Sequence, residues 1–124
     1  MRADSGGTSS PAARFPELHG REPLPGGIRL RLTVPPELVW LEDHFPSRPV
    51  LPGVAQLAWA IAFARDHFGF DHDPVGVERV KFLGTVPLEK PLVLELHRER
   101  NRVDWQFLAE DIPLSRGRLA FRAR

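Results

Sequence analysis

The sequence predicts an α+β domain in which an antiparallel β-sheet wraps around one long, buried central helix. Two observations carry this prediction. Residues 53–63 are apolar on every side except at Gln56, and a helix of that composition must be buried all round. About five further segments are short and alternating or apolar, which is typical of strands. Such a set fits a sheet around a single helix better than a layered fold with amphipathic helices.

The helix is expected to begin at Gly53 and to run for roughly 16 residues, or about 24 Å, which is too short to cross a bilayer. Pro52 stands directly before the helix, where a missing N–H has no cost. Gly69 follows the last apolar residues and is expected to end the helix.

Strict alternation of apolar and polar residues predicts the first strand over residues 28–34, and Pro35 and Pro36 end it. A short extended piece is expected over residues 39–41. Four later strands are expected over residues 77–86, 92–98, 103–109 and 118–122. Asn101 fits a tight turn between the second and third of these. The whole arrangement is that of the hot-dog fold, which periodicity alone leaves as one candidate among several.

Composition sets the domain boundary and excludes several classes of protein. Residues 1–27 are rich in Gly, Pro, Ser and Ala and are predicted to form a flexible arm, because they bury too little apolar surface to offset their ordering entropy. Within this arm, the first dozen residues are expected to be disordered and residues 15–24 to drape over the domain. Residues 28–124 are predicted to form a single domain. The net charge of +1 gives no sign of nucleic-acid binding. The sequence has no cysteine, which excludes disulfides, thiol nucleophiles and cysteine-ligated zinc. Without a signal peptide or a spanning segment, the default location is the cytoplasm.

Residues 44–54 read His-Phe-Pro-Ser-Arg-Pro-Val-Leu-Pro-Gly-Val. This stretch resembles the signature of bacterial 3-hydroxyacyl-ACP dehydratases (ACP, acyl carrier protein), in which a histidine, three prolines and a glycine precede the central helix at this spacing. The resemblance extends more loosely over residues 28–124, and residues 54–60 look most like the ApeI-like dehydratases of aryl-polyene and related pigment pathways. It implies a hot-dog fold and conversion of a 3-hydroxyacyl thioester to a trans-2-enoyl thioester, in fatty acid or polyene biosynthesis.

His44 and Gly53 suit that chemistry. Removal of a proton from C2 needs a base, and imidazole titrates near neutral pH. The helix start offers free N–H groups and a positive dipole end, and Gly53 has no side chain to keep a thioester oxygen from its N–H, as in an oxyanion hole. The prolines fix His44 relative to that helix. The expected contacts to substrate or carrier are Phe45, Pro52, Val54 and Arg48.

One residue departs from the family pattern. The fourteenth residue after the histidine is Glu or Asp in the family, and here it is Ala58, which cannot donate a proton. Three interpretations stay open. In the first, another group takes the place of the acid: Glu42, a water held by Gln56, or His44 alone. In the second, the chain binds acyl thioesters or supports a catalytic partner without efficient turnover of its own. In the third, Ala58 was introduced into an enzyme that normally carries an acid at this position.

The resemblance also implies partners. A homodimer with two shared sites is expected, because part of the helix face and a sheet edge are otherwise exposed. A second hot-dog chain with an intact acid is the heteromeric alternative. The acyl carrier protein, or its phosphopantetheine phosphate, is expected to meet basic residues, although each of these is individually better explained as part of a solvated surface. They are Arg48, Arg79, Lys81, Arg116 and Arg118.

The remaining alternatives concern the reaction and its requirements. A hot-dog thioesterase is the other enzyme class, but the His-Phe-Pro and Pro-Gly-Val elements argue against it. A non-catalytic acyl-binding or assembly subunit is the alternative outside enzymes. No cofactor beyond the carrier's phosphopantetheine is expected. Residues 71–73 read Asp-His-Asp, but three consecutive residues rarely converge on one ion, so no metal is predicted.

Overall fold

The computed structural model describes residues 15–36 and 51–123. The predicted extended piece at residues 39–41 lies outside them. In chain order the described elements are strands β1 (Glu17–Leu24) and β2 (Gly27–Thr33), helix α1 (Gly53–Phe68), and strands β3 (Gly76–Phe82), β4 (Leu92–Glu99), β5 (Arg102–Ala109) and β6 (Ile112–Ala120). The strands form one six-stranded sheet in the order β1-β2-β4-β5-β6-β3, and every pair is antiparallel. An antiparallel sheet with a single helix is therefore confirmed for the described part of the chain.

The core lies between the helix and one face of the sheet. Strand β2 alternates as predicted, with Ile28, Leu30 and Leu32 buried. Strands β4 and β5 send alternate residues to the same core. The largest fully buried side chains include Trp59 of the helix with Trp105, Phe107 and Phe121 of the sheet side. Burial of this kind contributes about 1.5–3 kcal/mol for each large apolar side chain, so the core supplies the main stabilisation.

Strand β1 corrects the prediction that residues 1–27 form a flexible arm. Residues 17–24 pair along β2 as the edge of the sheet, and Gly26 turns the chain between them with a φ of +71°. Most positions of this strand are exposed, and none is buried. With no buried face the strand has no apolar alternation, so sequence reasoning missed it. Residues 1–14 lie outside the described part, and the prediction there stays a prediction.

Strand β6 is longer than predicted, because it begins at Ile112 instead of residue 118. Glu110 and Asp111 form the preceding turn with φ values of +51° and +64°. Positive φ at both central residues is the geometry of a two-residue hairpin, although Glu-Asp is not a favoured sequence for it. Ser115 and Gly117 occupy core-facing positions, and two small residues there hide the apolar alternation.

The helix begins and ends where the sequence predicts. It runs for 16 residues, and Gly69 ends it in the left-handed conformation at φ +78°, with its N–H donating to the Arg65 carbonyl at 2.9 Å. This helix is not long and apolar enough to cross a membrane.

Burial of the helix differs from the prediction. Only one side is buried, at Ala55, Gln56, Trp59, Ala60 and Ala64. On the other side Val54 is 60% exposed, and Ala58, Ile61 and Ala62 are half-buried. The sheet of one chain covers a single side of the helix, so the expectation of a helix buried all round is not met within one chain.

Candidate active site

The helix start carries the described half of the predicted site. Pro52 caps the helix, Gly53 and Val54 open its first turn, and Gln56 and Ala58 follow. The other predicted site residues, His44 with Glu42, Phe45 and Arg48, lie outside the described residues. The structure therefore tests how the helix start is built, and the roles of the loop residues stay predictions.

The first N–H groups of the helix are free to donate to a ligand, because the helix itself offers them no acceptor. Pro52 is the N-cap residue, and its side chain makes no capping hydrogen bond. Its carbonyl accepts the N–H groups of Ala55 at 3.1 Å and Gln56 at 3.2 Å. The N–H groups of Gly53 and Val54 have no acceptor within the helix, as at any helix start. With no acidic residue in this turn, its positive dipole end suits a developing oxyanion.

Gly53 lies directly against an aromatic ring from the edge of the sheet. A Cβ atom at Gly53 would stand 2.7 Å from Cζ and 2.9 Å from Cε1 of Phe82. Phe82 is the last residue of β3, and its side chain is 54% exposed. A side chain at position 53 would therefore have to displace the outer end of the Phe82 ring. Sequence reasoning missed this contact, because Phe82 is far from Gly53 along the chain.

Gln56 holds the helix start to the chain before it. Its side chain is 3% exposed, and its Nε2 donates to the Leu51 carbonyl at 3.1 Å. The N–H of Leu51 in turn donates to the Val86 carbonyl at 3.3 Å. The Oε1 atom of Gln56 is buried and has no hydrogen-bond partner among the described residues. Gln56 thus faces the core, whereas Ala58, two residues further on, lies on the half-buried side of the helix.

Ala58 lines a cavity of about 470 Å³ on that half-buried side. Asp73 is the one carboxylate among the residues that line it, and its Oδ1 lies 2.8 Å from Nη1 of Arg65. Asp73 is thus already paired. The other lining residues are Ile61, Ala62, Arg65, Pro74 and Val77. Within residues 15–36 and 51–123 no unpaired acid stands beside Ala58 to replace the family's missing carboxylate.

The Asp-His-Asp segment at residues 71–73 does not converge on one point. His72 Nδ1 lies 2.9 Å from Asp71 Oδ1, while Asp73 pairs with Arg65. Among the described residues no three acidic or histidine side chains are grouped so as to hold a metal ion.

Four of the predicted carrier-binding residues meet on the face of the sheet that points away from the helix. Arg79, Lys81, Arg116 and Arg118 line one cavity there. Arg118 is already paired, since its Nε donates to Asp104 at 2.7 Å. The hydrogen bond to Asp104 raises the pKa of the Arg118 guanidinium above its ordinary value. This cavity is separated by the sheet from the helix start.

Comparison with solved structures places this architecture among dehydratases. The dehydratase heterocomplex ApeI:P from Xenorhabdus doucetiae is 27% identical with a TM-score of 0.77, over 85% of this chain and 96% of that one. A protein of unknown function from Erwinia carotovora subsp. atroseptica is 27% identical with a TM-score of 0.68, over 86% and 94%. GphF dehydratase 1 is 21% identical with a TM-score of 0.55, over 91% and 46%, a likeness of fold alone. No match was found among curated proteins.

The class is therefore that of the hot-dog dehydratases. More closely, the family model described as ApeI dehydratase matches residues 22–118. The chain belongs to the ApeI-like dehydratase family, which confirms the resemblance that residues 44–60 carry.

Proposed function

We propose that this chain takes part in dehydrating a 3-hydroxyacyl group, carried as a thioester on acyl carrier protein, to a trans-2-enoyl thioester. The observation that carries the proposal is the uncapped helix start at Pro52 and Gly53, in a chain of the ApeI-like dehydratase family. In the family motif His44 lies nine residues before Gly53.

The proposed chemistry assigns one task to each group. His44 takes the proton from C2, and the Gly53 N–H donates to the thioester oxygen as negative charge develops there. The C2 electron pair forms the C2–C3 double bond as the C3–O bond breaks. The departing hydroxide then needs a proton to leave as water. In the family the acid at the position of Ala58 serves this step, and here that position has no acid.

A second hot-dog chain is proposed to complete the site. The exposed side of α1 and the edge strand β3 leave Val54, Val77 and Phe82 exposed at 60%, 40% and 54%. Apolar groups on a helix side and a free sheet edge favour an interface. The ApeI:P structure is described as a heterocomplex. That description, with Ala58 in place of the family's acid, favours a different chain that carries the acid. An assembly subunit without turnover of its own is the second candidate.

The products distinguish these functions. The chain, together with a second hot-dog chain that carries the acid, is incubated with a 3-hydroxyacyl carrier-protein thioester, and the carrier is followed by mass spectrometry. Loss of one water with the thioester intact is expected. Release of the free hydroxy acid would identify a thioesterase instead. An unchanged thioester that still binds the chain would favour the assembly subunit.

The interface has its own prediction. Ile61→Asp is expected to prevent association with a second hot-dog chain, because it places a charge in the half-buried side of the helix. Ile112→Asp is the matched control, since Ile112 is 61% exposed at the start of β6. Sedimentation velocity of each variant, alone and mixed with the partner, measures the association. Equal assembly of the two variants would move the interface elsewhere.

A further inference from the structure

The face of the sheet that points away from the helix carries charged residues in rows across the strands. Most of these charges are complementary. Arg29 on β2 pairs with Glu95 on β4 at 2.8 Å, and Arg118 on β6 pairs with Asp104 on β5 at 2.7 Å. Opposite charges at facing positions of an antiparallel sheet are stabilising. Each of these carboxylates therefore already has a cation.

One facing pair breaks this pattern. Lys81 on β3 is the register partner of Arg116 on β6, so two cations point to the same side of the sheet. Side chains at such positions have Cβ atoms about 4.5–5.5 Å apart, and like charges there are destabilising. Among the described residues neither forms an ion pair. Arg79, two residues before Lys81, adds a third cation that has no acidic partner in the described part.

The backbone at this point is irregular. Residues 79 and 80 together oppose a single residue of β6, since the register shifts between Glu78 and Lys81. Arg79 has a φ of +57°, which is unfavourable for a residue with a side chain. A β-bulge re-aims side chains and often stands beside a functional site. A like-charge pair and a strained bulge thus coincide on one edge strand.

These three cations line one cavity of about 610 Å³. Its two carboxylates, Glu95 and Asp104, are the ones already paired with Arg29 and Arg118. The net charge of the cavity is therefore positive. Lys81 directly precedes Phe82, which covers Gly53 on the other side of the sheet. The cavity and the candidate active site consequently lie on opposite faces of β3.

We propose that Lys81, Arg116 and Arg79 form a binding site for a phosphate group on the outer face of the sheet. A phosphate oxygen accepts charge-assisted hydrogen bonds from Arg and Lys, and its charge removes the repulsion between Lys81 and Arg116. The cavity has room for more than the phosphate itself. Inorganic phosphate and the phosphate of a phosphopantetheine arm share this chemistry. The site does not depend on the proposed dehydration.

Thermal unfolding in phosphate tests the site. The wild-type chain is expected to unfold at a higher temperature in sodium phosphate than in sodium chloride of the same ionic strength. Lys81→Glu is expected to behave in two opposite ways. Without phosphate it unfolds above the wild type, because a carboxylate opposite Arg116 replaces a repulsion by an attraction. With phosphate it gains less than the wild type, because its affinity for phosphate falls by about tenfold or more.

Lys90→Glu is the matched control. Lys90 is exposed and lies outside the cavity, so this variant changes the net charge equally but keeps the wild-type response to phosphate. Equal unfolding temperatures of the wild type in phosphate and chloride would overturn the proposal, as would an undiminished phosphate response in Lys81→Glu. The unfolding temperature is then measured with phosphopantetheine, with inorganic phosphate and with pantetheine, which lacks the phosphate. A larger rise with phosphopantetheine than with inorganic phosphate indicates the carrier's arm, and an equal rise indicates the phosphate alone. Pantetheine is expected to cause no rise.

Discussion

Replacing Ala58 by aspartate is expected to raise the rate of water loss by the chain on its own by about 10²–10⁴-fold, the usual contribution of a positioned general acid. Ala58 lies on the half-buried side of α1, and the one carboxylate that lines its cavity is held by Arg65. An acid placed at this position therefore supplies the proton that the departing hydroxide needs. Single-turnover mass spectrometry of the acyl carrier thioester measures the effect.

Ala62→Asp is the control for this gain. Ala62 is half-buried, one turn further along the helix, and lines the same cavity. An aspartate there brings the same charge without the position of the family's acid, so no gain in rate is expected. A thermal unfolding scan of both variants shows that each is folded. If folded Ala58→Asp turns over no faster than the wild type, the missing acid is not what limits the reaction.

The second large effect concerns the core. Trp105→Ala is expected to lower the free energy of unfolding by about 3–5 kcal/mol, as is usual when a buried aromatic residue is truncated. Trp105 is 1% exposed, and its ring packs over Gly117 of the neighbouring strand. Its Nε1 has no hydrogen-bond partner within residues 15–36 and 51–123, so the truncation removes no hydrogen bond there. Trp105→Phe keeps most of the apolar contact and is expected to lose much less. Urea unfolding measures all three proteins.

Because the Trp105 ring packs on Gly117, substitutions at these two positions are expected to have coupled effects on the free energy of unfolding. A Cβ atom at Gly117 would overlap the Trp105 ring, so Gly117→Ala is expected to destabilise the wild type by about 1–3 kcal/mol. In the Trp105→Ala background the ring is gone, and the same substitution is expected to cost little. A double-mutant cycle gives this coupling. Purely additive free energies would show that Gly117 is small for some other reason.

How far the sequence predicts the fold depends on whether an element has a buried face of its own. Helix α1 and strands β2, β4 and β5 are recovered closely, because local apolar periodicity marks them. Strand β1 was missed because none of its residues is buried. The start of β6 was missed because Gly117 stands where an apolar residue is expected, and only the Trp105 ring on the next strand explains it.

The sheet of a single chain covers only one side of helix α1, so what buries the other side cannot be predicted from one chain. The all-round apolar composition of residues 53–63 predicts a helix that is covered on two sides. The sheet of this chain covers the side of Trp59 and Ala60. The side of Ala58 and Ile61 stays half-exposed. Composition predicts that this second side is covered but not by which molecule.

The residues of the candidate site also fall into two groups, those found from a local motif and those that only the fold brings together. Gly53 and the missing acid at Ala58 were identified because residues 44–60 resemble the family's local motif. Phe82 against Gly53 and the facing cations Lys81 and Arg116 arise from strand register, which joins residues far apart in the chain. No local pattern contains that information, so only the folded structure brings these residues together.

The most direct test of the central proposal is the dependence of water loss on His44. The wild type, His44→Ala and the control His67→Ala are compared on a 3-hydroxyacyl carrier-protein thioester, each with and without the second hot-dog chain. His67 is exposed in the last turn of α1, at the opposite end of the helix from Gly53. Turnover that His67→Ala keeps and His44→Ala loses by about 10²-fold or more is the predicted result. Equal turnover in the wild type and His44→Ala would contradict the assignment of His44 as the base.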